Sequence, residues 1–136
     1  MIVDFHTHTF PDKIAAQTIA YLSEKGGVPA FREGTLSALK EFVSRHEETE
    51  FYFLMVPNAV WLYPELLPAG AGTEDQSAFI DAFFSEISET MTPIDVRQEF
   101  QSYVRKEELY YRTDHHWNEK GAYIAYKKIC ESILHK

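Results

Sequence analysis

The chain is short of the features on which several classes of protein depend. Cys130 is its single cysteine, which excludes an internal disulfide and a cysteine-ligated zinc cluster. No apolar run reaches about 18 residues, so the sequence predicts no membrane span. Only 13 Lys and Arg stand against 21 Asp and Glu, and the net charge of −8 argues against nucleic acid as a partner. The 136 residues are also too few for a complete (β/α)₈ barrel, which needs at least about 200.

The start of the sequence as written predicts no secretory leader. Met1–His8 has no basic segment followed by an apolar run, so the sequence as written predicts a cytoplasmic location. The rest of the composition is that of a folded domain, with 45% hydrophobic and 25% charged residues. A chain of this size buries about two-thirds of its unfolded surface, which is enough for one core. Cys130 lies in a helical pattern and is predicted to be a core thiol.

Apolar segments predict strands that alternate with helices. Phe51–Val56 is apolar throughout, which is typical of a strand covered on both faces. Shorter strands are predicted at Ile2–Phe5 and Pro93–Val96, with an extended piece at Leu109–Tyr111. Apolar residues at helical spacing predict helices over residues 11–25, 35–46, 76–87 and 118–134, the third after a capping box at 73–76 and the last capped by Asn118.

This order predicts an α/β fold. The expected architecture is a small, incomplete sheet of parallel type, with three or four strands and helices packed on it. So small a sheet leaves open edges, which favour self-association unless the chain covers them.

A first candidate site lies at the end of the first predicted strand. Asp4, His6 and His8 alternate, so they share one face, and two neighbouring imidazoles can chelate a divalent metal such as zinc. Two polar residues leaving a strand for solvent would give the same pattern.

The neighbouring residues favour the metal. Residues 1–13, 25–31 and 34–36 resemble the opening of the metal-dependent amidohydrolases, in their decarboxylase-like branch. The resemblance implies that His6 and His8 hold a catalytic zinc or a similar ion. It covers residues 1–40, and the further ligands that a catalytic zinc needs are expected to be missing.

A second candidate site is the segment Tyr110–Trp117. A carboxylate two residues before an imidazole can fix its tautomer, so that the other ring nitrogen takes a proton from a hydroxyl nucleophile. Asp114 and His116 are therefore a candidate catalytic pair. On chemistry alone, a polar loop or a second metal-binding pair remains open.

The sequence around this segment is similar to a known family. Residues 41–136 resemble the DHHW proteins through Phe51–Asn58, Tyr63-Pro64, Asp75-Gln76, Tyr111–Trp117 and Gly121–Tyr123. These are SGNH-hydrolase-like proteins related to alginate O-acetylation, and such relatives are usually exported. The resemblance implies that Asp114 is the orienting acid and His116 the general base of a Ser-His-Asp triad. It implies no role for His115 and a packing role for Trp117.

The nucleophile of that triad is expected to be missing. None of the eight serines lies in a Gly-Asp-Ser or Gly-x-Ser-x-Gly turn, and the relatives carry theirs well downstream of the Asp-x-His motif. Asn58, after the central strand, is a weaker candidate for binding substrate at an oxyanion, although a turn residue after Pro57 is also consistent with its position.

The sequence thus predicts two family segments, residues 1–40 and 41–136, joined in one folded unit. The leading hypothesis is a fragment of a DHHW-type, SGNH-hydrolase-like protein, acting in ester hydrolysis or O-acetyl transfer on carbohydrate. Without its serine, the chain is expected to be weakly active or inactive. One alternative is a fragment of a metal-dependent amidohydrolase or decarboxylase that uses His6 and His8. The other is a remnant or binding module without catalysis.

Overall fold

The structure, a computed structural model, describes residues 12–27, 34–104 and 106–134. The chain divides into two compact units, Met1–Phe51 and Tyr52–Lys136. The predicted strand Ile2–Phe5 lies outside the described residues. Among the residues described, no helix is both long and apolar enough to cross a bilayer.

The first unit contains helices α1, Asp12–Gly26, and α2, Leu36–Ser44, close to the two predicted positions. The Thr35 side chain caps α2 by accepting a hydrogen bond from the amide of Ala38 at 3.0 Å. Ile14 and Leu22, which belong to the apolar pattern of this helix, are both 47% exposed. In α1 only Ala15 is fully buried, so apolar spacing marks a stripe on this helix without showing what covers it.

The second unit is built on two parallel strands, β1 at Tyr52–Met55 and β2 at Thr92–Asp95. The connection between them contains three helical elements: α3 at Ala59–Leu62, a 3₁₀ turn at Pro64–Leu66 and α4 at Gln76–Ile87. Helices α5, Arg97–Tyr103, and α6, Glu119–Leu134, follow β2. The predicted α/β fold with a small parallel sheet is confirmed, with two strands in the described residues.

Strand β1, predicted to be covered on both faces, is contacted on both faces but is not fully buried. All four of its residues are half-buried, whereas Ile94 opposite Leu54 on β2 is 2% exposed. Both faces of β1 are contacted: Phe53 packs on Phe83 of α4 at 5.0 Å between ring centroids, and Leu54 packs on the main core. The short strand is therefore sandwiched between elements that do not fully seal it.

The core of this unit lies between β2, α5, α6 and the segment Leu109–Tyr110, which precedes the candidate residues Asp114 and His116. Phe100, Leu109 and Val96 are fully buried. The cluster that they anchor also contains Leu62, Ile94, Tyr110, Ile124 and Ala125. Cys130 is only half-buried, so its prediction as a core thiol holds in part.

Three local details differ from the sequence prediction. The 3₁₀ turn at Pro64–Leu66 was not predicted, nor were the helices α3 and α5. Both helices are too short to show an apolar period. The N-cap of α4 is Asp75, which accepts from the amide of Ala78 at 3.0 Å, so the capping box assigned to Thr73–Gln76 is two residues too early.

A charged network closes the end of β2. The Arg97 Nε lies 3.0 Å from both carboxylate oxygens of Asp95, its Nη1 donates to the carbonyl of Ser77 at 3.2 Å, and its Nη2 pairs with Asp81. Burial opposes ionisation of Asp95, but the hydrogen bonds from Arg97 outweigh it, and its pKa lies below the ordinary value of 3.8. The network joins β2 to α4.

Removing this guanidinium should therefore destabilise the fold. We expect Arg97→Met to lower the free energy of unfolding by about 2 kcal/mol at neutral pH, because Asp95 loses hydrogen bonds to a charged donor. A carboxyl with a lowered folded pKa contributes stability that is present above its unfolded pKa and lost as pH falls through the folded pKa. The deficit should thus shrink below about pH 4.

Urea unfolding at pH 7 and pH 3 measures both effects. Arg45→Met is the matched control, since Arg45 and Glu41 form an ion pair with side chains 70% and 63% exposed. Such a pair contributes less than about 1 kcal/mol. If Arg97→Met and Arg45→Met lost equal free energy of unfolding, the Arg97 network would stabilise the fold no more than an exposed ion pair does.

Candidate functional site

The loop that carries the candidate pair, residues 111–116, is closed at its base. Tyr110 and Trp117 form an antiparallel bridge, and the amide of Tyr111 donates to the carbonyl of His116 at 3.1 Å. Just outside this bridge, the amide of Asn118 donates to the carbonyl of Leu109 at 2.8 Å. The two ends of the loop are therefore fixed to one another.

Asn118 joins the loop to helix α6, as its predicted N-cap. Its Oδ1 accepts from the amides of Lys120 and Gly121 at 3.0 and 3.1 Å, which confirms the prediction. Its Nδ2 donates to the carbonyl of Glu108 at 2.7 Å. One side chain thus caps the helix and holds the strand that enters the loop.

Tyr110 ties the loop to the carboxyl end of β1. Its hydroxyl donates to the carbonyl of Pro57, and its ring lies 6.3 Å from Phe100 and 6.4 Å from Tyr63, centroid to centroid. The Tyr63 hydroxyl in turn accepts from the amide of Leu109 at 2.8 Å. Burial raises the pKa of Tyr110 well above 10, so the phenol stays a donor.

Asp114 and His116 are brought together by the loop. The Asp114 Oδ1 lies 2.7 Å from the His116 Nδ1 and also accepts from the backbone amide of His116 at 3.2 Å. The hydrogen bond from His116 lowers the pKa of Asp114. Because a carboxylate can only accept, the His116 Nδ1 carries its proton toward Asp114 and the Nε2 lone pair faces away. The side chains are 46% and 63% exposed.

The two neighbours of His116 have different surroundings. The Nδ1 of His115 lies 3.2 Å from the same oxygen of Asp114, and its side chain is 87% exposed. The centroids of the His115 and His116 rings lie 4.0 Å apart. Trp117 is half-buried, with its ring 6.4 Å from that of Phe100, and it packs against the main core.

Asn58 lies three residues after Met55, the last residue of β1, and caps α3. Its Oδ1 accepts from the amide of Trp61 at 3.1 Å and from the Nε2 of Gln76 at 2.5 Å. The backbone amide of Asn58 donates to the Oε1 of Gln76 at 3.1 Å, so the two residues pair reciprocally. These contacts account for its position, and its role in binding substrate stays a prediction.

The other predicted site residues, His6 and His8, lie outside the described residues, so their zinc site stays a prediction. The described serines include four whose hydroxyls donate to carbonyls of their own helices: Ser44, Ser88, Ser102 and Ser132. The hydroxyl of Ser77 accepts from the Trp61 indole at 2.8 Å. Within the described part of the chain, no serine hydroxyl hydrogen-bonds to the His116 imidazole.

Gly121 lets α6 approach the strand that enters the loop. A Cβ at this position would lie 2.6 Å from the carbonyl oxygen of Leu109 and 3.1 Å from the Cβ of Trp117. Both contacts are with the base of the loop, so the missing side chain sets its distance from the helix.

Gly121→Ala should therefore destabilise the protein, although alanine is the better helix former. We expect a loss of about 1–3 kcal/mol in the free energy of unfolding, measured by urea titration, with shifted amide resonances across residues 109–118. The control is Gly26→Ala in α1, where a Cβ meets nothing within 4 Å. An unchanged or increased free energy of unfolding in Gly121→Ala would show that α6 can move away from Leu109 without destabilising the protein.

Tyr110→Phe should remove the hydrogen bond to Pro57 and leave that buried carbonyl unpaired. We expect a loss of about 1–3 kcal/mol at neutral pH. A phenol with a raised folded pKa contributes stability that is present below its unfolded pKa, about 10, and lost as pH rises above it. The difference between wild type and variant should accordingly shrink above about pH 10, and unfolding curves that stay equally far apart there would contradict it.

Comparisons with known proteins show the family to which the chain belongs. The family described as the SGNH hydrolase-like domain of the acetyltransferase AlgX matches residues 24–136. The match begins inside the segment that resembles amidohydrolases, and that resemblance stays a prediction. No curated protein matches the chain.

Two solved structures of Bacillus cereus PatB1 are similar in fold. The structure of PatB1 with a sulfonyl adduct is 25% identical, with a TM-score of 0.58, and the alignment covers 74% of this chain and 34% of PatB1. The other PatB1 structure is 26% identical, with a TM-score of 0.59 and coverage of 72% and 33%. This chain spans about a third of the length of PatB1. Because the family match takes in most of the sequence, the chain belongs to the SGNH hydrolase-like family of AlgX.

Proposed function

We propose that this chain is a fragment of a DHHW-type, SGNH-hydrolase-like protein that carries the acid–base half of an acyl-transfer site. Asp114 is the orienting acid and His116 the general base. The observation that carries the proposal is the 2.7 Å contact between the Asp114 Oδ1 and the His116 Nδ1. The reaction class is ester hydrolysis or O-acetyl transfer on carbohydrate, in keeping with the acetyltransferase for which the family is named.

The chemistry follows from the tautomer that Asp114 imposes. With the proton of His116 on Nδ1, the Nε2 lone pair accepts the proton of a hydroxyl as its oxygen attacks an acyl carbonyl. The imidazolium that forms is stabilised by the Asp114 carboxylate. It then returns the proton to the leaving alkoxide, and the imidazole is again neutral.

In this proposal the attacking hydroxyl is not supplied by a serine of the described residues, and the contacts of five of those serines support this. Four of those serines donate to their own helices, and Ser37 donates to Asp12. The sequence also lacks a Gly-Asp-Ser turn. Without a positioned nucleophile the covalent step is lost, so the chain alone is weakly active or inactive.

The first experiment measures turnover of p-nitrophenyl acetate. We expect wild type to turn over the ester no faster than His116→Ala, because the pair has no hydroxyl to activate. Incubation with phenylmethylsulfonyl fluoride should add no mass to the protein. That reagent is apt because PatB1 has been solved with a sulfonyl adduct, and sulfonyl fluorides label activated nucleophiles.

Two results would contradict the missing nucleophile. One is robust turnover that His116→Ala abolishes while His115→Ala does not. The other is a single sulfonyl group on a serine of wild type that is absent from His116→Ala. Circular dichroism of each variant checks that the fold is intact.

A second experiment tests the Asp–His pair apart from any activity. Imidazole nitrogen NMR should show His116 with its proton on Nδ1, and Asp114→Ala should remove that preference. His46 is the internal control, since its Nδ1 lies 2.7 Å from the carbonyl of Phe42 and should not respond. A His116 tautomer that ignores Asp114→Ala would remove the basis for the proton relay.

A further inference from the structure

We propose that Asp114, His115 and His116 together form a site for a divalent transition metal such as zinc, and that metal at this site switches the acid–base pair off. The binding site rests on geometry alone, and its effect on the pair rests also on the proposed function. The proton relay gives no task to His115.

Both imidazoles contact the same oxygen, the Oδ1 of Asp114. The Nδ1 atoms of His116 and His115 lie 2.7 and 3.2 Å from the Asp114 Oδ1. A donor atom from each of the three residues lies within 4.8 Å of the other two. In a tetrahedral zinc site with bonds of 2.0–2.1 Å, ligand atoms lie about 3.3 Å apart. The contact of His115 already has this spacing, and that of His116 needs to open by about half an ångström.

The donor set suits a borderline metal. Two imidazole nitrogens and one carboxylate oxygen are ligands that zinc, copper and nickel accept, and three protein ligands leave a position for water. The bridge between Tyr110 and Trp117 fixes the two ends of the loop. The side chains themselves are exposed, that of His115 to 87%, so they can adjust their rotamers without disturbing the core.

Metal binding and proton relay exclude each other because they use the same nitrogen. In the relay, the His116 Nδ1 holds a proton toward Asp114. A metal on Nδ1 takes the place of that proton, which moves through solvent to Nε2, so the ring stays neutral and carries its single proton on Nε2. No lone pair remains there to accept a proton from a hydroxyl, so the metal inhibits the pair and does not assist it.

Calorimetric titration with zinc chloride tests the site on the full chain. His6→Ala/His8→Ala removes the other predicted metal pair, and this double variant should still bind zinc with micromolar affinity. Adding His115→Ala should weaken that binding roughly tenfold or more, because one of three ligands is gone. Adding His46→Ala instead, at an exposed histidine outside the loop, should change nothing.

Circular dichroism shows that each variant is folded, and Asp114→Asn serves as a second variant that weakens the site by another ligand. Unchanged zinc affinity in both loop variants, or no binding by the double variant at millimolar zinc, would overturn the site.

Nitrogen NMR of His116 tests the consequence for the relay. Zinc should move the ring proton from Nδ1 to Nε2, and His115→Ala should raise the zinc concentration that this needs. Binding without the change of tautomer would overturn the inhibition and leave the metal site standing. Absence of acyl-transfer chemistry would defeat the proposed function without altering the zinc isotherm, so the two failures are distinguishable.

Discussion

The position of the candidate loop depends on how closely helix α6 approaches the backbone of Leu109. At Gly121 that distance leaves no room for a side chain, and Asn118, one turn earlier, bonds to the same stretch of backbone. The hydroxyl of Tyr110 then connects this stretch to the carbonyl of Pro57 at the end of β1. The histidines are therefore held by backbone and polar contacts at the base of the loop, while their own side chains remain in solvent.

This arrangement follows a general rule for sheets of parallel type, in which sites gather beyond the carboxyl ends of the strands. Asn58 and Gln76 pair just after β1, and Asp95 and Arg97 pair at the end of β2. The loop of Asp114 and His116 reaches the same region through Tyr110. Two strands are enough to fix these positions because each is followed at once by a capped helix or a charged pair.

The sequence predicted what depends on long periodic patterns and on local chemistry. It placed both described strands and the four longer helices, and it identified Asn118 as a cap, because these signals lie within a few residues of one another. It missed α3 and α5, which are shorter than the period that reveals a helix. Apolar spacing also does not show which residues are covered: Ile14 and Leu22 are 47% exposed, since burial depends on what packs against a stripe. The hydrogen bond from the Tyr110 hydroxyl to the Pro57 carbonyl joins residues 53 positions apart, and no local pattern encodes it.

The exposure of the His116 imidazole bears on what such a pair can select. Water and a sugar hydroxyl reach a solvent-facing nitrogen equally well, and water is far more abundant. An acyl group beside this imidazole would therefore meet water far more often than a sugar hydroxyl. Transfer would require a second surface, from a partner or from bound carbohydrate, that covers the loop and keeps water out.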